Sequence, residues 1–198
     1  LRTLLLQIRS QTAATVVVTL YMIGTAWAFT DAWIILSWAA AITVVALTRF
    51  LASRHLLRHP PPDSALDGWA RRYVITMGVT GMIWGAGFLL LAHPEQPITV
   101  ALTLSCFYSV AAGSVPSCAY HPPAIVAIVI PTFAAVLGKL LATGAFGYIL
   151  LGSASALYGL TMIAFCFVQA RTLREGFRIR FENVELVEQL RIEKEAAD

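Results

Sequence analysis

Charge is what this sequence has least of. Of its 198 residues only 13% are Asp, Glu, Lys or Arg, and 58% are hydrophobic; an ordinary soluble domain carries roughly 25% charged residues. The shortage is also local. Between Ser10 and Thr48 the one charge is Asp31, and between Tyr73 and Ala170 only Glu95 and Lys139 interrupt the apolar run. This excludes a water-soluble globule, and the net charge of +3 then points to no nucleic-acid partner. Cysteine is scarce too. Cys106, Cys118 and Cys166 are odd in number and lack CxxC spacing, which predicts buried free thiols rather than a metal or redox centre. HExxH, a P-loop, a Gly-rich phosphate cradle and paired carboxylates are all missing, so no catalytic residue, metal ligand or cofactor is expected in this segment.

What is present is long apolar windows. A spanning helix needs about 20 apolar residues, and in lipid the backbone must satisfy itself, which selects helices over open strands. Six windows qualify: 13–29, 33–51, 73–92, 97–117, 123–142 and 146–169. The expected fold is therefore all-α, a polytopic membrane six-helix bundle over residues 1–169, with a charged helix over 170–198. Arg2 and Arg9 precede the first window; Arg49, at the end of the second, with Arg54, Arg58, Arg71 and Arg72 forms the basic link to the third; Arg171, Arg174, Arg178 and Arg180 follow the sixth. Cytoplasmic loops collect Lys and Arg, so both termini are expected in the cytoplasm, which requires an even number of crossings. The turn Cys118 to Pro122 carries no basic residue and is the weak point of that register. The opposite loops are too short to fold a ligand-binding domain, so any signal must be met in the membrane or at its rim. The connection from Ala52 to Arg72, with Pro60, Pro61 and Pro62 in a row, predicts an extended, semi-rigid link.

Several residues inside the windows carry chemical possibilities. Gly81 and Gly85 form a GxxxG, which lets two helix backbones approach closely, either within the bundle or at a dimer face; packing within the bundle is the expectation. The stretch SCFYSVAAGSVPSCAYHPPAIVAIVIP, Ser105 to Pro131, is the most polar and most broken part of the membrane region. Its hydroxyls, with Pro116 and Pro131 inviting kinks, can line a cavity or can simply bond neighbouring backbone. The candidate signal-binding residues there are Tyr108, Ser109, Ser114, Tyr120 and His121. His121, between Tyr120 and two prolines, has the setting of an interfacial loop residue. Lys139 is the one Lys or Arg well inside a window and is close enough to its end to snorkel to water. Trp27, Trp33 and Trp69 flank windows as interfacial anchors.

Beyond Gln169 the composition changes. The last 28 residues hold six basic and seven acidic side chains, no proline, and one glycine, Gly176. Ile179, Asn183, Leu186, Leu190, Glu193 and Ala197 recur at spacings of four and three, a heptad seam with a polar Asn at one core position, which favours a homodimeric coiled coil of fixed register. The chain begins at Leu1 and stops at Asp198 inside this pattern, and reads as a segment of something longer.

The string RIRFENVELVEQLRIEKEAAD, Arg178 to Asp198, resembles the signalling helix that leads into the dimerisation and phosphoacceptor domain of bacterial membrane-bound sensor histidine kinases, often hybrid ones. The six windows, with GSVPSCAYHPPAIVAIVIP between the fourth and fifth, look like the six-helix sensor modules in front of such kinases. The resemblance implies a multi-pass protein of the bacterial inner membrane that detects a small membrane-permeant or lipid-like signal. It implies a downstream kinase using ATP and Mg and a response regulator as its partner. The phosphoacceptor histidine and the ATP-binding boxes of that family fall beyond Asp198, so none is assigned to a residue here. The same type of sensor also precedes diguanylate cyclases. A small transporter or channel and a purely structural membrane anchor are further alternatives; the transporter is opposed by the scarcity of intramembrane charge and the lack of internal repeats.

Overall fold

The computed structural model describes residues 2–59 and 62–197, and all regular structure in it is helical. Six α-helices follow one another: α1 (Arg2–Ala26), α2 (Ala32–Arg58), α3 (Leu66–Leu91), α4 (Pro97–Cys118), α5 (Pro123–Ala142) and α6 (Phe146–Ala197), with one 3-10 turn at Asp63–Ala65. Five of them, α2 to α6, are long and apolar enough to cross a membrane; in α1 the apolar part, Gln11–Ala26, is shorter. This is the helix set of a multi-pass membrane protein. Local chemistry sets the ends. Pro97 and Pro123 occupy first-turn positions, where a missing N–H costs nothing. Gly144 takes φ +67° just after α5, the left-handed conformation that closes a helix and that other residues resist.

Hydropathy boundaries and helix boundaries differ where charge, not a helix breaker, ends an apolar window. The segment expected as a 21-residue extended link is mostly helical: α2 continues through Ser53, Arg54 and Leu57 to Arg58, and α3 already begins at Leu66. Only residues 59–65 connect them; Pro60 and Pro61 of the expected proline link lie outside the described residues. Arginines interrupt hydropathy but are good helix formers, so the helices run on until proline stops them.

The helices form a ring in the order α1, α2, α3, α5, α6, α4, with α4 also touching α5 across it. Two apolar layers fill the ring. Met22, Trp38, Trp84, Phe88 and Phe107 dominate the layer towards the short loops after α1, α3 and α5. Met77, Ile125, Phe133 and Cys166 dominate the layer towards the arginine-rich α2–α3 end.

The closest approach in the ring is α3 on α5, and the GxxxG makes it possible. A Cβ on Gly81 would lie 2.8 Å from Ile128 Cα and 2.9 Å from Pro131 Cγ, and one on Gly85 would lie 3.0 Å from the Pro131 carbonyl oxygen. The motif packs within the bundle, as expected. Thr132 adds a polar tie at the same crossing: its hydroxyl donates to its own Ile128 carbonyl at 2.7 Å and to the Gly81 carbonyl of α3 at 3.0 Å.

Two further ties escape a reading of windows. Trp38 on α2 donates its indole N–H to the Ile83 carbonyl of α3 at 2.9 Å. The ring lies over Gly87, where a Cβ would come within 2.6 Å of Cε2. Lys139 stands half-buried near the end of α5. Its Nζ donates to the Leu89 carbonyl at 2.6 Å and approaches the Phe88 carbonyl at 3.4 Å, both at the C-terminal end of α3. Those carbonyls have few or no intrahelical partners and sit at the negative pole of the helix, which is where a cation is stabilised. Lys139→Met keeps the stem and removes the charge; it should lower stability by about 1–2 kcal/mol, read as a drop in the thermal midpoint of the purified protein in detergent.

Candidate functional site

The residues singled out from sequence are separated by the fold. Tyr108 faces α6: its hydroxyl and Ser155 Oγ are 2.8 Å apart, Tyr158 donates back to the Tyr108 carbonyl at 3.0 Å, and the two tyrosine rings lie 4.6 Å apart by centroid. Phe133 of α5 stacks on Tyr108 at 6.2 Å and lies 6.0 Å from Tyr158, so the three rings form one cluster. Tyr108 thus fastens α4 to α6. Ser109 and Ser114 each bond a carbonyl one turn back, of Ser105 and Val110, and both line a cavity of about 140 Å³ between α1, α2 and α4. Tyr120 and His121 stand half-buried at the α4–α5 turn, where the His121 N–H bonds the Cys118 carbonyl; neither lines that cavity. Tyr108→Phe should loosen the α4–α6 contact by about 0.6 kcal/mol, the scale of hydrogen bonds between membrane helices. The measurement is chemical unfolding in mixed micelles, with Ser155→Ala in a double-mutant cycle.

The polar centre of the bundle lies at Arg49, which the charge pattern groups with the basic link although it falls within the window 33–51. Arg49 is on α2 more than two turns before that helix ends. Its Nη2 donates to Gln11 Oε1 of α1 at 2.9 Å, and Gln11 Nε2 donates to Ser117 Oγ of α4. One chain of side chains therefore joins three helices at this depth. Arg49 Nε is buried and makes no hydrogen bond, and Tyr73 Oη, on α3, is in the same condition although it faces Ser117, Cys118 and Arg49. Among the described residues the ion pairs are Arg171–Glu175 and Arg178–Glu182, both exposed on α6, so Arg49 has no carboxylate beside it there. Sequence spacing gives no sign of this centre, because Gln11 and Ser117 are 38 and 68 residues from Arg49.

No family model, curated protein or solved structure matches this chain. The function is thus argued from its own residues. Among those described, no group of three or more His, Cys, Asp or Glu could hold a metal ion. Cys106, Cys118 and Cys166 are free and buried.

A second cavity, of about 340 Å³, adjoins Arg49 on its other side, between α2 and α3. Arg49, Arg72, His55 and Tyr73 supply its polar wall, and Trp69 its apolar one. Trp69 is half-buried and stacked on Tyr73, with ring planes 6° apart and centroids 5.6 Å apart. Trp27 and Trp33, by contrast, are 55% and 70% exposed at the first turn, as interfacial anchors would be. At the far end the short loops are fastened to one another. Thr30 Oγ1 and His93 Nε2 lie 2.7 Å apart, and the Tyr148 hydroxyl donates to the Pro94 carbonyl at 2.6 Å. The bundle is thus tied at its loop end, while cavities lie beside Arg49 towards the other.

Proposed function

We propose that this chain is the membrane input module of a bacterial sensor histidine kinase. In this reading six helices cross the inner membrane, both termini lie in the cytoplasm, and two copies pair through α6. The observation that carries the reading is the continuity of α6. It runs 52 residues from Phe146 to Ala197 without a break, about 78 Å at 1.5 Å per residue, against a hydrocarbon core of about 30 Å. Its first half packs through Gly152, Ser155, Gly159, Cys166 and Ala170. From Arg174 onwards its described side chains are exposed, with Arg178 and Glu182 paired along the helix. A helix that is core at one end and solvated rod at the other converts a shift in bundle packing into rotation or tilt of whatever follows.

Orientation rests on the arginines of the α2–α3 end and of α6 after Arg171, which belong on the cytoplasmic side. Dimerisation rests on the heptad seam. Ile179, Asn183 and Leu186 are exposed in the single chain, as seam residues awaiting a partner would be; the side chains of Leu190, Glu193 and Ala197 lie outside the described residues. The Tyr108–Ser155–Tyr158 clasp supplies the transmission point, since a small hydrophobic or lipid-like signal that parts α4 from α6 acts directly on the rod. ATP, Mg and the response regulator belong to the downstream kinase. The test is a phosphotransfer assay on the full-length gene product in proteoliposomes. Incorporation of the ATP γ-phosphate on histidine, followed by transfer to a response-regulator aspartate, is the expected result. Formation of a cyclic dinucleotide from GTP would replace the kinase with a cyclase, and neither activity would overturn the reading.

A further inference from the structure

The two cavities beside Arg49 share that residue as their common wall: Arg49 lines both the 340 Å³ space between α2 and α3 and the 140 Å³ space that reaches Ser114 on α4. An arginine within a membrane bundle is costly unless paired, yet half-buried Arg49 has, among the described residues, one side-chain acceptor, the neutral Gln11 oxygen, and a buried Nε with none. Tyr73, only 6% exposed on the same wall, holds its hydroxyl beside Ser117 and Cys118. Arg72 adds another cation and Thr76 another hydroxyl, and among the described residues no Asp or Glu lines either cavity. Around this polar patch the walls are apolar: Leu56 and Trp69 on one side, Ala14 and Val18 on the other. The arrangement offers excess positive charge and the Arg49 Nε–H to an oxyanion, and apolar surface to a chain attached to it.

We propose that the Arg49 cavity binds the anionic head, carboxylate or phosphate, of an amphiphile whose apolar chain lies against the bundle. Arg49 and Arg72 hold the oxyanion, the fork of Arg49 being suited to two oxygens at once. The occupied site changes Arg49's share in the Gln11–Ser117 chain and so the seating of α1 and α4, the helix clasped to α6. This deepens the sensor reading by naming the head-group chemistry and rests on it for the consequence, but not for the binding itself.

Binding is therefore measured on the 198-residue chain without any output domain, in phosphatidylcholine nanodiscs, by native mass spectrometry with dodecanoate as the added molecule and dodecanol as its neutral counterpart. Dodecanoate should bind about tenfold or more tightly than dodecanol, the scale of one charge-assisted hydrogen bond. Arg49→Gln should remove that difference and Arg49→Lys should keep part of it. Arg171→Gln, on the exposed rod, should leave it intact. Should Arg49→Gln fail to fold, Arg72→Gln, at an exposed position, carries the same expectation of a several-fold loss. A second arm replaces part of the phosphatidylcholine with phosphatidylglycerol. Competition with dodecanoate that depends on Arg49 supports the site with a bilayer phospholipid as the source of the head group; dodecanoate binding without such competition supports it with a free amphiphile as the source. Equal binding of dodecanoate and dodecanol, or binding indifferent to both Arg49 and Arg72, overturns the site. That outcome would leave the phosphotransfer test of the sensor reading untouched.

Discussion

Gly81→Leu should prevent α3 and α5 from meeting and leave little folded protein in detergent. At position 81 even a single methyl group would stand 2.8 Å from the Cα of Ile128 and 2.9 Å from Pro131 Cγ. Neither neighbour can swing aside, because one is backbone and the other a ring in the middle of a helix. Gly81→Ala, the smallest test, should cost about 1–3 kcal/mol, the usual range for overpacking. It should also weaken the Thr132 to Gly81 hydrogen bond by forcing the helices apart. Leucine adds three more carbons and exceeds what a bundle of marginal stability tolerates. Gly138 on α5 supplies the control: a Cβ there meets nothing within 4 Å, so Gly138→Ala should be neutral or slightly stabilising. Thermal midpoints of the three variants in one detergent decide the matter. Equal midpoints for Gly81→Ala and wild type would mean that the α3–α5 crossing is looser than described.

Insertion of one residue after Phe181 should change output by about fivefold or more, the lower range of allosteric coupling. The insertion turns everything downstream by about 100°, carrying Asn183 and Leu186 off the line of Ile179 while leaving the membrane bundle untouched. Seven inserted residues restore the phase to within about 20° and should restore activity near the starting level. Kinase activity of the full-length protein in membranes, with and without signal, is the readout. If the one-residue and seven-residue insertions behave alike, output does not depend on the rotational phase of α6, and the rod serves only as a tether.

Much of the architecture was legible because the bilayer is a severe solvent. A run such as Pro123 to Ala142 can only be a helix in lipid, and its proline start and glycine-terminated end matched the observed α5. Helix ends in water were less legible. Arg54 lies beyond the end of a hydropathy window without ending the helix, which runs on to Arg58, so the expected long link contracted to a short turn. The polar interior was the least legible part. Lys139 was expected to snorkel because it stands near the end of its window; that its ammonium is tied to the carbonyl end of α3, about 50 residues away, was not legible. Arg49 was grouped with the link, since Gln11 and Ser117 become its neighbours only when α1 and α4 close the ring beside α2.

By itself the sequence determined the apolar helices, their number and order, the shortness of the loops opposite the arginines, and the change from core to solvated rod along α6. Each of these follows from one-dimensional quantities, namely how many apolar residues stand in a row and where proline, glycine and charge interrupt them. Only the tertiary structure decided which helices touch, that Gly81 faces Ile128, that Tyr108 serves α6, and that Arg49, bonded to Gln11, lines two cavities. The physical reason is that lipid supplies almost no preference between apolar helix faces, so packing partners are chosen by the fit of small residues and by scattered hydrogen bonds. Both are properties of pairs of surfaces, and no single stretch of chain contains them.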